Sequence, residues 1–478
     1  MFNLTNSPLP SRFSVKALSV LKLNKKSDQP EVPPTQPDLP IQGGCKVGIA
    51  TLGCKVNRYE SAALEEDLRR NNFSVVPFNS IADVYIVNTC TVTAFSDFQS
   101  RQLVRRAHRK NPQAKIIVTG CYAQIAPRDA AALDGVSMVV GNSRKHQIIE
   151  LMQDKTNISP GILTGDVSQQ KEFCNMPLAS FGDRTRAFLK IQEGCNSFCS
   201  YCIVPFARGP SRSMAPEGVF SAVGKLAREG YKEIVLTGIH LGLYGHDFKP
   251  AVDISRILQK MGDLNLDTRI RLSSIEPKEI TADLLNLIKD SALLCPHLHI
   301  PLQSGDDKIL QLMKRDYDAV FFRKLIEKIH SAISDIAIGV DVMVGFPSES
   351  DKQFENTYNL LECLPIAYLH VFPYSARPGT AAQEFQPRVP DKIKKERAAA
   401  LRKLSAQKQE KYGLRFLGKP LRVLVESTKD KKTGLLKGFS QNYLPFLLDE
   451  KFSFSINKIA AVQAGKYVAG KFYGEIIA

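Results

Sequence analysis

From Lys46 onward, short runs rich in β-branched residues alternate with stretches whose apolar positions recur at helical spacing: KVGIATLG, YESAALEEDLRR, DVYIVNTC, QSRQLVRRAHRK and KIIVTGC follow one another. A period near two that gives way repeatedly to a period near 3.6 predicts βα units and a parallel sheet over residues 45–153. The weakly patterned stretch 154–183 predicts a linker with one turn or two. A second series then supplies six strand candidates, AFLKIQEG, EIVLTGI, RIRLSSI, HLHIPL, IGVDVMVGF and AYLHVFPY, separated by helical stretches such as DLLNLIKD and FFRKLIEKIH. Six βα units predict a TIM-like barrel, complete or partial, over residues 184–412, with its site at the carboxyl ends of the strands. The helix DKIKKERAAALRKLSAQKQEKY leads out of it. LRVLVES, LLKGFS, YLPFLL, FSFSI and KFYGEII, strands with no helices between them, predict a small all-β domain over 413–478. The fold class is α/β, with a parallel-sheet domain first, a TIM-like barrel second and an all-β module last.

Length and composition narrow this picture by exclusion. The 478 residues suffice for several domains. With 44% hydrophobic and 23% charged residues and no apolar run near the ~18 a span needs, the chain is neither collagenous, wholly disordered nor an integral membrane protein. Ten cysteines spread over this length predict thiols in a reducing compartment rather than a disulfide scaffold. Residues 1–44 carry seven prolines and read as a flexible extension. Lys16 and Lys22 confine the apolar stretch there to Ala17–Leu21, short of the ~7 residues of a secretory core, so a cytoplasmic location is expected. Arg12, Lys16, Lys22, Lys25 and Lys26, with no acid before Asp28, also fit a peptide for organellar import.

The net charge of +16 points to a polyanionic partner. Much of it falls in Asp391–Ser440, with 15 Lys and Arg against 5 Asp and Glu, and a second basic helix holds Arg101, Arg105, Arg106 and Arg109. Such stripes follow nucleic-acid phosphates, although either alone also fits a solvated helix face. Tyr443 and Phe446 are aromatic candidates for stacking on bases, with packing in the β-module as the commoner role.

The chemistry concentrates in EGCNSFCSYC, where Cys195, Cys199 and Cys202 follow the first barrel strand. Three thiolates at these spacings can each hold one corner of an iron-sulfur cube and leave one iron open. A structural zinc site normally needs a fourth Cys or His, and the motif contains none. Cys54, Cys90 and Cys121 lie 36 and 31 residues apart, each at or just beyond the end of a predicted strand. In a parallel sheet those ends share one edge, so the three can converge. His297 and His299 share a strand face but lack a carboxylate or third ligand nearby in sequence, which favours a structural role. Cys45, Cys174, Cys295 and Cys363 show no ligand spacing.

EGCNSFCSYC resembles the CxxxCxxC motif of the radical S-adenosylmethionine superfamily. TLGCKVN, NTCTVT and TGCYAQ resemble the amino-terminal domain of its methylthiotransferases, and the last module resembles a TRAM domain. The resemblance spans roughly Cys45 to Ala478. It implies two 4Fe-4S clusters, one held by Cys195, Cys199 and Cys202 with S-adenosyl-L-methionine on the open iron, the other by Cys54, Cys90 and Cys121. Tyr201 would lie near the cofactor's adenine, and Gln303, Ser304 and Gly345, at strand ends, could contact its ribose and amino-acid parts or form rim turns. LGCKVN, RGPSRS, LTGIHLG, RLSSIEP and FPYSARPGT resemble the branch that converts N6-threonylcarbamoyladenosine at position 37 of tRNA into its 2-methylthio derivative. That reaction would require tRNA, an electron donor and a sulfur source as partners, and no membrane. The isopentenyladenosine branch is the first alternative and the ribosomal-protein branch a weaker one. A zinc-containing RNA-binding adapter without catalysis, or a radical enzyme acting on a small molecule, are readings of other kinds.

Overall fold

The computed structural model describes residues 44–153, 161–176, 178, 181 and 185–477. The extension expected over residues 1–44 therefore lies, but for its last residue, outside the described residues. The first domain is built on six parallel strands: β1 (Lys46–Thr51), β2 (Ser74–Val76), β3 (Val84–Thr89), β4 (Lys115–Gly120), β5 (Val136–Val140) and β6 (Gly161–Leu163). Their order is β2-β1-β3-β4-β5-β6. Every residue of β3 is buried, which is why VYIVNT reads as a continuous rather than alternating run. Helix α1 (Lys55–Arg70) follows β1, and α2 (Ala94–Lys110) follows β3, its start capped by Thr93 Oγ1 accepting from the Ser96 amide at 3.1 Å. Strand β6 falls within the stretch expected as a linker, of which residues 154–160, 177, 179, 180, 182 and 183 are outside the described set. Its three residues are too few to carry a period.

The second domain holds β7 (Ala187–Lys190), a short antiparallel ribbon of β8 (Gln192–Glu193) and β9 (Arg212–Ser213), and then β10 (Glu233–Thr237), β11 (Arg269–Leu272), β12 (His297–Gln303), β13 (Ala337–Val344) and β14 (Tyr368–Pro373). Two three-stranded parallel sheets, β11-β10-β7 and β12-β13-β14, are joined by bridges Ile270↔Leu294 and Ser274↔His299. The result is a six-stranded partial barrel whose free edges are β7 and β14. Helix α1 packs along β7, and the long helix Asp391–Leu414 along β14. Tyr59, Leu64 and Leu68 of α1 share one apolar core with Leu189, Leu236 and Leu272 of the barrel, so the two domains bury a common interior.

Strands β15 (Pro420–Lys429), β16 (Leu436–Ser440), β17 (Pro445–Leu448), β18 (Ile459–Val468) and β19 (Lys471–Ile476) close into a small barrel of order β15-β16-β17-β19-β18. Val423, Phe446, Val462 and Phe472 fill it. The strand expected at FSFSI is instead a 3₁₀ turn, Glu450–Ser455, begun by Asp449 accepting from the Lys451 amide at 2.9 Å. Phe452 is buried while Phe454 is exposed, so the turn reproduces the alternation of a strand. The fourth strand is β18, whose inward positions include the small Ala464.

The small barrel docks on the base of the large one through two arginines. Arg269 donates to the carbonyls of Arg422 (3.2 Å) and Phe439 (2.8 Å), and Arg271 to those of Gln441 (3.0 Å) and Ser440 (3.3 Å). Both are held by the fully buried Glu233, at 2.7 and 2.9 Å. Burial alone would raise the Glu233 carboxyl, but Arg271 and Arg269 hold it far below the usual carboxylate range. No helix among the described residues is long and apolar enough to cross a membrane.

Candidate active site

Cys54 ends the β1 turn and caps α1, Cys90 follows β3, and Cys121 follows β4, so the three thiols meet at one edge of the sheet. Two local features bring them there. Gly53 has φ +92°, and a Cβ on it would lie 2.9 Å from the Sγ of Cys90. Asn57 Nδ2 donates to the carbonyls of Leu52 (2.8 Å) and Thr89 (2.9 Å), tying the start of α1 to the ends of β1 and β3. Cys121 acts electrostatically on Cys54, and both act on Cys90. Burial raises Cys54 and pushes Cys90 up to about 11, while the Arg208 guanidinium opposes the shift at Cys54.

The second triad sits on the loop after β8. Gly194, φ +76°, has no room for a Cβ, which would fall 1.9 Å from the Pro210 carbonyl oxygen. The loop is framed by two acid-base pairs. His240 Nδ1 lies 3.4 Å from Cys195 Sγ, and its Nε2 pairs with Glu279. Arg315 donates to Cys199 Sγ at 3.4 Å and pairs with Glu276. Burial would raise Cys195, but hydrogen bonds from His240 and Ser197 bring it below its ordinary value. Burial raises Cys199 and pushes Cys202 up to about 12.

The donor sets fit polynuclear iron-sulfur groups better than single ions. Three thiolates on one tetrahedral zinc, with bonds of about 2.3 Å, would lie roughly 3.8 Å apart. Among the described residues, only His299, Asp341 and His370 place three ligand atoms mutually within 4.8 Å, and neither cysteine triad is so tight. Within each triad the thiols nonetheless lie close enough to act on one another, Cys54 and Cys121 on Cys90 and Cys195 and Cys199 on Cys202. Cluster formation would remove their protons, and Arg208 and Arg315 stand ready to offset the charge.

The triads occupy adjoining elements. The short helix that begins at Cys121 packs against the helix Val204–Arg208 just after Cys202. Asn142 Nδ2 donates to the Ala207 carbonyl at 2.8 Å and lies 3.6 Å from Cys121 Sγ. Beneath them runs a buried charge network. Glu60 of α1 meets Lys145 Nζ at 2.5 Å, Arg208 Nη1 at 2.7 Å and Lys190 Nζ at 3.3 Å; Glu193 meets Arg208 at 2.8 Å and Lys190 at 3.0 Å. Burial alone would raise Glu60, but Arg208, Lys145 and Lys190 hold it well below the usual carboxylate range.

The residues singled out at the barrel rim divide. Tyr201 packs beside Arg315, and burial raises its hydroxyl well above its ordinary value. Gln303 has φ +69° at the end of β12 and is half-buried. Ser304 is buried, and its hydroxyl lies 3.3 Å from Thr357 Oγ1 and accepts from the Asp306 amide at 3.2 Å. Gly345 donates its amide to Glu349 at 2.6 Å. His297 bonds the Tyr368 hydroxyl at 2.8 Å, and its ring lies tilted against that of the half-buried Tyr443, 4.6 Å between centroids, while Phe446 is buried in the small barrel. His299 does acquire a carboxylate, Asp341, at 2.7 Å, with His370 Nδ1 3.4 Å from the same oxygen. The exposed Arg105, Arg106 and Arg109 line α2, whose first turn carries the exposed, stacked pair Phe95 and Phe98. In the carboxy-terminal stripe Arg397 is buried against Glu349, while Lys395, Arg402, Lys403 and Lys411 are exposed.

Sequence reading missed Glu60, His240, Glu276, Glu279 and Arg315. His240 and the two glutamates stand in LTGIHLG and RLSSIEP and the stretch after it, but only their pairing reveals a role.

Comparison with known proteins agrees with this architecture. Residues 46–141 match the family described as Uncharacterized protein family UPF0004, and residues 189–361 match the Radical SAM superfamily. The chain is 39% identical to the threonylcarbamoyladenosine tRNA methylthiotransferase MtaB of Aquifex aeolicus over 80% of its length and 92% of that protein. It is 38% identical to the Bacillus subtilis MtaB, with 89% and 96% covered. A tRNA-2-methylthio-N(6)-dimethylallyladenosine synthase of Clostridium botulinum is 32% identical, with 82% and 88% covered. Among solved structures, the radical S-adenosylmethionine methyltransferase TsrM of Kitasatospora setae superposes with a TM-score of 0.54 at 13% identity, over 71% of this chain and 77% of that one, a likeness of fold alone. With two thiol triads in place and relatives of this identity along most of its length, the chain belongs to the tRNA methylthiotransferase family of radical S-adenosylmethionine enzymes.

Proposed function

We propose that the protein converts N6-threonylcarbamoyladenosine at position 37 of tRNA into its 2-methylthio derivative, using two 4Fe-4S clusters and S-adenosyl-L-methionine. The observation that carries this reading is the pair of thiol triads set on adjoining elements, bridged by Asn142. Cys195, Cys199 and Cys202 would hold the cluster that receives S-adenosyl-L-methionine, and Cys54, Cys90 and Cys121 the second. When bound, these groups supply the radical that an unactivated aromatic C–H bond demands, which no side-chain acid or base provides near neutral pH.

The chain's own residues bind, orient and neutralise. Tyr201, Gln303 and Gly345 would contact S-adenosyl-L-methionine beside the first triad, and His240 and Arg315 fix the loop of that triad through Glu279 and Glu276. Arg208 sets positive charge against Cys54 and Cys121. Phe95 and Phe98, near Cys90, offer aromatic faces to unpaired bases, and the arginines of α2 and the exposed lysines of residues 391–440 follow phosphates. An electron donor and a sulfur source complete the reaction, and the cytoplasm is its expected place.

Nucleoside mass spectrometry of tRNA from cells with and without the gene tests the proposal. The expected result is loss of the methylthio-threonylcarbamoyl nucleoside with build-up of its precursor. Loss of the methylthio-isopentenyl nucleoside would assign the protein to the sister reaction. Unchanged nucleosides, with no duplicate enzyme, or a colourless protein with stoichiometric zinc, would overturn it.

A further inference from the structure

Lys55 follows the cluster cysteine Cys54 and opens α1, where it is half-buried. Arg271, Arg186, Asp341 and Glu233 lie near enough to act on its charge. The other charges there are matched. Glu233 holds Arg269 and Arg271, Glu426 meets Arg186 at 2.8 Å, and Asp341 accepts from His299 and lies beside His370. Among the described residues no carboxylate lies within ion-pair distance of the Lys55 ammonium, which leaves one cation of the group without its counter-charge. A half-buried cation near two arginines is poorly placed unless an anion arrives from outside.

The reaction read above supplies such an anion. The substituent on N6 of threonylcarbamoyladenosine ends in a free carboxylate and a hydroxyl, whereas a dimethylallyl substituent is uncharged and apolar. The target carbon, C2, must approach the triad that includes Cys54, and N6 lies across N1 from it on the same ring. The residue next to Cys54 is therefore within reach of what N6 carries. Resting on that reading, we propose that Lys55 is the specificity-determining residue that pairs with the carboxylate of the threonylcarbamoyl group and so selects this substrate over one with an apolar N6 substituent. A site built around an unpaired charge rejects a ligand without the complement far more strongly than an apolar pocket rejects an extra polar group. The hydrogen-bonded wall of His299, Asp341 and His370 adds to that rejection, because an apolar substituent would strip its water and return no hydrogen bond.

The test uses the cluster-loaded enzyme and anticodon stem-loop RNAs whose modified adenosine carries the threonylcarbamoyl group either as the acid or as its neutral carboxamide. The wild type is expected to favour the acid by about 10- to 100-fold, both in kcat/KM and in the Kd of the stem-loop. Lys55→Gln should bring the ratio to near unity by weakening the acid alone, and Lys55→Arg should keep most of it. A merely structural lysine would lower both substrates together. A Lys55→Gln enzyme that keeps the wild-type ratio, or a wild type that turns over acid and amide equally, overturns the inference while leaving the reaction intact. A wild type that modifies isopentenyladenosine stem-loops and ignores both others overturns the reading of the reaction itself, before any variant is compared.

Discussion

Replacing Glu60 by Gln removes the anion through which α1 of the first domain holds Lys190 and Arg208 of the barrel. Its side chain is 3% exposed and touches Lys145 of its own domain and Lys190 and Arg208 of the barrel between 2.5 and 3.3 Å. At an effective dielectric near 20, each contact of about 3 Å carries roughly 5 kcal/mol of attraction, most of it offset by desolvation. The variant leaves Lys190, Arg208 and Arg212 to Glu193 and Lys145 to the Asn88 side-chain oxygen, and removal of one partner from such a buried set costs about 3–5 kcal/mol. At about 2–4 °C per kcal/mol for a unit of 150–250 residues, the thermal midpoint should fall by roughly 6–20 °C. Differential scanning calorimetry and urea unfolding measure this, with Glu355→Gln, in an exposed pair with Lys352, as a control expected to cost less than about 1 kcal/mol. Because the folded Glu60 carboxyl lies well below its unfolded value near 4.5, its contribution is complete above that pH and is lost as pH falls through the depressed value. The gap between wild type and variant should therefore close in acid. A gap under about 1 kcal/mol at pH 7, or one that persists unchanged in acid, would refute the argument.

Other outcomes follow from the same geometry. Cys199→Ala should abolish S-adenosylmethionine cleavage, whereas Cys90→Ala should retain cleavage but yield no methylthio nucleoside, each losing half of the bound iron by colorimetric assay. Changing Arg105, Arg106 and Arg109 together to Gln should flatten the salt dependence of tRNA binding by about 2 in logarithmic slope, at roughly 0.7 per single-strand phosphate contact. Glu233→Gln should destabilise the protein at pH 7 and shallow its acid transition, since the depressed Glu233 carboxyl stabilises above the unfolded value and stops doing so as it protonates; urea midpoints from pH 7 to pH 3 read this directly.

The six cysteines were legible because thiol chemistry leaves a local signature: Cys195, Cys199 and Cys202 in one loop, and Cys54, Cys90 and Cys121 each at the end of an apolar run. Barrel strands such as β10, β11 and β12 were legible because they are buried almost throughout and such strands read as short continuous runs, whereas β14, exposed over its second half, was legible from its aromatic and β-branched residues. What stayed hidden depends on partners remote in the chain. Glu60 sits unremarkably on a charged helix until Arg208, 148 residues on, reaches it. His299 lacked a carboxylate within its own strand, and Asp341 arrives 42 residues later on the next one. FSFSI failed differently, because a tight turn can bury one phenylalanine and expose another as a strand does.

Arg269 and Arg271 grip the terminal β-barrel by its backbone oxygens. Carbonyls are common to every amino acid, so the outer face of that barrel is at liberty to drift in sequence while its angle to the catalytic mouth stays set. The module thus acts as a fixed jig: whatever RNA its surface comes to prefer will be presented to the same cavity at the same offset, and changes of tRNA preference need not retune the chemistry.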